Sequence, residues 1–551
     1  MVSVTLFFLT LALCFCSVVT AFTNSPPRVT VTNGTLVGLN LHDFGQHAFL
    51  GIPFAEPPDG NLRFRHPRPY DSNWNIRNAT EYGYSCPGYA QFSQNRTMKE
   101  DCLTINVVKP DFIKEGDDVP VLVWIYGGGY NGGSSADPTY NLSYIVNSSV
   151  AIDKPIIAVS FNYRLSVFGF ITGDDIYREG SANAGFFDQR LALKWVQENI
   201  AAFGGDHKKV TIWGESAGAF SVAYQTVAFD GNHENLFRAA IMESGTALGP
   251  TFAHTDKYID NYKNLTDSLN CTNATVPLDC LRAIKYEDFY ALVNPYVWGP
   301  IIDGNFLTKS PATLMNEGSF APVSLLVGSN TDEGTAPFWG PRGTLNTTED
   351  VRNWLYSLWP LPPATVEEFL KLYPDNPALG CPFNAGNISF ADQGLQYKRG
   401  AAIAGDVFIQ AGRRETAQKF AQKGNTVYSY RFDQYPWNGV VNLIATVAPV
   451  YATHYSEIVY VFNNPSSTIP NTLGPYQSDH DLSDLMVRSY IAFVHDLDPN
   501  RHGIDKIPYW PEYGDKASNF VFKANSSRAE NDDFRKEQLS FISSIWNQLL
   551  S

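Results

Sequence analysis

The chain has 551 residues, 44% of them hydrophobic and 17% charged, the balance of a globular protein with a sizeable core rather than of a disordered chain. Forty basic against 55 acidic side chains give a formal charge of −15. Such a surface repels phosphate backbones and anionic headgroups, which argues against nucleic acid as a partner.

The first segment, MVSVTLFFLTLALCFCSVVTA, carries no charged side chain, and none appears before Arg28. Its apolar run closes on Val19-Thr20-Ala21, small residues at the positions a signal peptidase reads. The expectation is a signal peptide over residues 1–21, cut after Ala21, and a secreted, extracellular chain. An uncleaved anchor is the alternative, because the run approaches the lower length of a membrane span. No later stretch is long and apolar enough to suggest stable membrane insertion. Asn-x-Ser/Thr occurs at Asn33, Asn78, Asn95, Asn141, Asn147, Asn264, Asn273, Asn346, Asn387 and Asn525, among others, a density that suits a secreted glycoprotein. Cys14 and Cys16 leave with the signal. Of the remaining five, the close pairs Cys86–Cys102 and Cys271–Cys280 read as disulfides, with Cys381 left over and buried. No Cys or His spacing suggests a metal site, and no motif calls for a cofactor.

Further along, VPVLVWIYGGG (119–129) and KPIIAVSFNYRL (154–165) are nearly continuous apolar runs bounded by glycine or proline, which predicts buried strands. NAGFFDQRLALKWVQENIAAFGG (183–205) predicts a helix closed by a Gly-Gly stop. KVTIWGES, FRAAIMESG and APVSLLVGSN follow as strands, 345–425 as a more helical excursion, TVYSYRFDQ (426–434) as a late strand and 482–500 as a helix. This alternation predicts an α/β protein with a large, mostly parallel central sheet covered by helices on both faces. No linker-like boundary interrupts it, so residues 22–551 are expected to form a single domain.

Three stretches could carry chemistry. In Trp213-Gly214-Glu215-Ser216-Ala217-Gly218 a serine sits between glycines where a strand becomes a helix. A tight turn is one reading. The other is a nucleophile exposed beyond the strand end, with helix N–H groups behind it. WIYGGGY (124–130) places three glycines directly after a buried strand, where backbone N–H groups can converge on an oxyanion without Cβ obstruction. Six histidines follow Ser216. His454 lies in a loop-like stretch leading into an apolar run, whereas His480, among acids, reads as a solvated helix start. LLVGSNTDEGTAPF (325–338) ends a strand on adjacent Asp332 and Glu333. Either carboxylate could orient an imidazole.

FLGIPFAEPPDGNLRF (49–64), EDCLTINVVKP (100–110), VLVWIYGGGY, SANAGFFDQRLALKWVQENIAAFGGD, VTIWGESAGAFS and AFVHDLDPN together resemble the type-B carboxylesterase/lipase family, the cholinesterase-like branch of the α/β-hydrolases, and fungal secreted lipases and esterases in particular. The resemblance covers nearly the whole mature chain in order. It implies Ser216 as nucleophile with Glu215 beside it, Glu333 as the acid and His454 as the base. It implies Gly128, Gly129 and Ala217 as oxyanion donors and Ser244 as a buried support of the acid. Arg63–Glu100 and Arg164–Asp188 match structural ion pairs of the family, and both disulfide pairs match its disulfides. Phe338 and Trp339 are candidate walls of an acyl pocket, with an ordinary core role as the alternative.

Acyl transfer through a serine ester on a small-molecule substrate is the activity so implied. In related lipases the first disulfide loop carries an amphipathic lid. Here Cys86 and Cys102 enclose a loop of about 15 residues, mostly polar, with Tyr89 and Phe92 as its large apolar residues. A truncated lid, an open site and short to medium or otherwise soluble esters are expected. The loop has no tryptophan to meet a choline cation. A lipase or sterol esterase acting on long acyl chains is the alternative, and a non-catalytic adhesion or binding member of the family a remote one.

Overall fold

In a computed structural model of the chain, the structure describes residues 25–89, 96–249, 258–293, 296–336, 339–340, 342–437, 451–465 and 473–549. The expected signal segment, Asn95, Phe92 and Phe338 lie outside these residues.

Fourteen strands form two sheets among the described residues. In chain order they are β1 (Arg28–Val31), β2 (Gly34–Val37), β3 (Leu39–Leu41), β4 (Gln46–Pro53), β5 (Ile76–Asn78), β6 (Thr104–Pro110) and β7 (Val119–Ile125). Then follow β8 (Ile157–Phe161), β9 (Gly205–Glu215), β10 (Ala239–Glu243), β11 (Ser324–Asn330), β12 (Val427–Phe432), β13 (Ser518–Phe522) and β14 (Arg528–Asn531). β1, β2 and β5 make a small separate sheet. The other eleven run in the order β14-β13-β12-β11-β10-β9-β7-β8-β6-β4-β3. The seven from β13 to β8 pair in parallel, and β14, β6, β4 and β3 join antiparallel at the two edges.

Why the centre is parallel follows from residue type. Val121–Ile125, β8 and β10 are buried along their whole length, which only helices on both faces can arrange. The expected strand 154–165 is shorter, Ile157–Phe161, because Asn162 turns away and donates its side-chain amide to the Tyr84 and Cys102 carbonyls. The expected helix 183–205 is α-helical over Ala184–Asn199, then tightens through Ile200–Phe203 and stops at Gly204, whose φ is 95°. A Cβ there would meet the Lys114 carbonyl oxygen at 2.4 Å. The last long helix, Gln477–Asp496, begins five residues before the expected 482. The excursion holds helices Thr348–Leu358, Pro363–Leu372, Tyr397–Gly405 and Ala411–Gln422.

Ion pairs fix the flanks. Arg63 and Arg164 bind Glu100 and Asp188 through paired nitrogens, all four groups buried. Both expected disulfides form, and Cys381 is a free, buried thiol. Among the described residues no helix is long and apolar enough to cross a membrane. Register places Ile125 beside Gly214, and Glu215 and Gly328 on either side of Glu243. The carboxyl ends of β7, β9, β10 and β11 therefore meet along one edge, where ligands bind in sheets of this type.

Candidate active site

The turn from β9 into helix Ala217–Gly231 is strained at one residue. Ser216 holds φ 56° and ψ −126° at the helix N-cap. From Val210 to Ala228 every residue is buried except Ser216, which is half-buried. The flanking glycines have a steric reason. A Cβ on Gly214 would lie 2.5 Å from the Gly218 carbonyl carbon, and one on Gly218 would lie 2.0 Å from the Ile125 oxygen. The turn is pinned because Ser216 donates its N–H to the Glu243 carbonyl and accepts from the Phe220 N–H, both at 2.9 Å.

Beyond β7 the three glycines divide the work. Gly127 is buried against the turn, where a Cβ would stand 2.6 Å from the Glu215 oxygen and 3.1 Å from the Ser216 Cβ. Gly128 and Gly129 turn outward at φ 106° and 62° and are exposed. Positive φ at two consecutive positions is a conformation glycine adopts without steric penalty. Ala217 opens the adjacent helix, whose N-terminus carries unpaired N–H groups.

His454 lies between two carboxyls. Its Nδ1 is 2.6 Å from Glu333 Oε2 and its Nε2 is 3.2 Å from Glu215 Oε1, and all three side chains are buried. Glu333 Oε1 accepts the Ser244 hydroxyl at 2.5 Å and the Asn330 N–H at 2.7 Å. The acid thus collects three donors, counting the imidazole. Of the two carboxylates that the sequence leaves open, Glu333 meets His454 and Asp332 faces the other way, towards Phe383 and Ala452.

Around this pair the sheet ends gather further carboxyls. Burial raises Glu215 well above the usual range, and the charges of Glu457, Glu333 and Glu243 raise it further. Burial and Glu457 do the same to Glu243, whose side chain accepts the Trp213 indole N–H. Glu457 is pushed up to about 7, by burial first and by Glu333 second, with the Asn330 amide opposing. Proximity of like charges in low dielectric favours the neutral form in such a cluster.

Glu457 and Asn330 are partners that sequence reading missed. Glu457 Oε1 lies 3.3 Å from the Ser244 hydroxyl, and the Asn330 side chain donates to the other oxygen. Spacing offered one signal: Glu457 follows His454 by three residues, about one helical turn. Trp339 packs on the imidazole with ring centroids 4.9 Å apart and touches Phe408 at the same distance. His480 is exposed on its helix. Asn78, Asn147, Asn264, Asn273, Asn346, Asn387 and Asn525 are exposed. Asn33 donates its side-chain amide to the Tyr70 and Ser72 carbonyls, and Asn141 caps helix Leu142–Ala151. Among the described residues no group of three or more His, Cys, Asp or Glu side chains is arranged to hold a metal ion.

A mostly parallel sheet with a strained strand-to-helix serine at its carboxyl edge defines an α/β-hydrolase. The sequence pattern of the Carboxylesterase family matches residues 25–542, and the chain belongs to that family. It is 37% identical over 532 residues to Lipase 4 of Diutina rugosa, spanning 88% of this chain and 89% of that protein. It is 34% identical over 556 residues to a secreted triacylglycerol lipase of Gibberella zeae, spanning 93% and 89%. The crystal structure of Aspergillus niger EstA matches with a TM-score of 0.84 at 27% identity, covering 96% of this chain and 100% of that one. The protein is a carboxylic ester hydrolase.

Proposed function

We propose that the chain is a secreted serine esterase of one domain, residues 22–551, working through Ser216, His454 and Glu333. The observation that carries this reading is an imidazole held at 2.6 Å by Glu333 beside the strained, half-buried serine turn. His454 takes the Ser216 proton as the oxygen attacks the ester carbonyl, and Glu333 stabilises the imidazolium. Gly128, Gly129 and Ala217 N–H groups hold the oxyanion, each worth about 10²–10³ in rate. The tetrahedral intermediate collapses, the alcohol leaves with the proton from His454, and water repeats the sequence on the acyl-enzyme. Glu215, whose carboxyl burial holds above the usual range, stands 3.2 Å from Nε2. Ser244 holds Glu333 from behind.

For substrate we favour short to medium or otherwise soluble esters. The described part of the Cys86–Cys102 loop is tied down: Tyr89 donates its N–H to the Asn131 carbonyl at 2.7 Å, and Tyr290 donates its hydroxyl to the Gly88 carbonyl at 2.6 Å. A loop anchored at this point is a poor candidate for a swinging lid. A second reading, a lipase on long acyl chains, is favoured by the Diutina and Gibberella relatives, which are lipases by name. Secretion is supported by the sequons, the two disulfides and the name of the Gibberella protein.

Ser216→Ala assayed on a soluble chromogenic ester tests the chemistry, and unchanged hydrolysis sinks it. An acyl series from acetate to palmitate tests the substrate. A rate that jumps when a long-chain ester passes its solubility limit establishes the lipase reading instead.

A further inference from the structure

The carboxylate next to the proposed acid is as buried as the acid itself, and it points elsewhere. Asp332 is fully buried just beyond β11. Its Oδ1 accepts the Phe383 N–H at 2.9 Å and the Cys381 thiol at 3.7 Å. Its Oδ2 accepts the Ala452 N–H at 3.3 Å, while its own N–H donates to the Ala452 carbonyl at 2.9 Å. Ala452 lies two residues before His454. Neutral contacts run alongside. The Asn330 amide donates to the Thr453 carbonyl, and the Thr335 and Thr453 hydroxyls meet, each at 2.7 Å. Three segments distant in the chain, the turn after β11, the excursion at 381–383 and the histidine loop, thus converge on one carboxylate.

We propose that Asp332 is a positioning residue whose ionised carboxylate, by holding the Ala452 amide, sets where His454 stands relative to Ser216 and Glu333. This rests on the Ser216–His454–Glu333 reading. An ionised oxygen accepts a backbone N–H roughly twice as strongly as a neutral one, and Ala452 is close enough along the chain to steer the imidazole.

The groups facing Asp332 make that charge hard to keep. Burial first, with the Asp433 charge just past β12 adding to it, raises it to about 6 against the pull of the Phe383 and Ala452 N–H groups and of Arg535. The Arg535 guanidinium is itself committed to Asp406. Cys381, Tyr397 and Tyr435 are near enough to feel the Asp332 charge, as is Lys398. Because the folded value lies above the ordinary 3.8, the protonated form is the one that folding favours. As pH falls through about 6, the fold gains stability at this site while the clamp slackens. Activity and stability therefore part company in acid.

Wild type, Asp332→Asn and Ser216→Ala, each as full chain, are compared on a soluble chromogenic ester between pH 4.5 and 9, with melting curves at every pH. Asp332→Asn is expected to lose about 10- to 100-fold in kcat at pH 8. KM stays within about twofold, and melting stays within about 5 °C of wild type. The acid limb of kcat in wild type should be steeper than one proton allows, and in the variant it should follow a single ionisation. The hydrogen-bonded Nδ1 proton of His454, followed by NMR in wild type alone, should shift near pH 6 with the protein still folded, which keeps the test decisive if the variant does not fold. Wild-type kcat with an unaltered acid limb in Asp332→Asn, or no shift of the Nδ1 proton, overturns the proposal for Asp332 and leaves the triad standing. Full activity in Ser216→Ala overturns both.

Discussion

At Ser216 the backbone sits in a region that side chains with a Cβ seldom occupy, and it stays there because its surroundings leave no alternative. Glu243 and Phe220 fix the turn from two sides, and the glycines before and after it remove the atoms that would collide. Gly218→Ala would drive a methyl into the Ile125 carbonyl, a backbone atom at 2.0 Å that cannot rotate away. We expect a loss of about 3 kcal/mol, read by denaturant unfolding, together with lost activity, because Ile125 leads into the glycine loop. Glu457 makes a prediction of opposite sign. Its folded value, about 7, lies above the ordinary 4.5, so the stability it contributes is present in acid and is lost as pH rises through about 7. Glu457→Gln should melt with wild type at pH 5 and above it at pH 8. Equal melting temperatures at both pH values would sink the idea.

At the level of elements, strands and loops place the site differently. β7, β9, β10 and β11 end in register, so the glycine loop, the serine, Ser244 and Glu333 arrive together without adjustment. Loops bring the rest. The Cys86–Cys102 disulfide closes a loop whose cross-link contributes about 3 kcal/mol in the chain-entropy account. Replacing both cysteines by Ala should lower stability by about that amount. If Tyr89 and Tyr290 hold the loop as the distances indicate, kcat on a soluble ester should stay within about threefold. A collapse of activity at temperatures where the variant is folded would mean that the disulfide itself shapes the site. Asp188 belongs to the scaffold. It takes the Arg164 guanidinium and the Arg164 N–H inside the protein, and Asp188→Ala would strand a buried cation at a cost of about 3–5 kcal/mol, measurable by denaturant unfolding.

Across the whole molecule, a charge of −15 governs how the enzyme meets a substrate surface. Anionic vesicles carrying a dissolved ester should be hydrolysed more slowly than zwitterionic ones, and added salt should narrow the gap by screening. A faster rate on the anionic surface would point to a local basic face that net charge conceals.

The elements legible in the sequence are those whose cause is local. Continuous apolar runs gave β7 to β12 their places, and glycines marked both the serine turn and the loop after β7. The small β1-β2-β5 sheet and the outermost strands β3 and β14 escaped notice because strands of three or four residues with little burial carry no such pattern. β1 and β5 have hardly a buried residue.

Order along the chain, spacing and residue type by themselves determined a serine nucleophile candidate in a strand-to-helix turn, a glycine loop ahead of it, and an acid and a histidine after it. They also paired four cysteines. Which of two adjacent carboxylates faces the imidazole was decided by the fold, and so were the Glu457 and Asn330 contacts behind the acid and the Asp332 grip on Ala452. The physical reason is separation. Glu333 and His454 are 121 residues apart and Ser244 and Glu457 are 213. Pairing at such distances is set by how the sheet ends converge, which a local pattern does not encode.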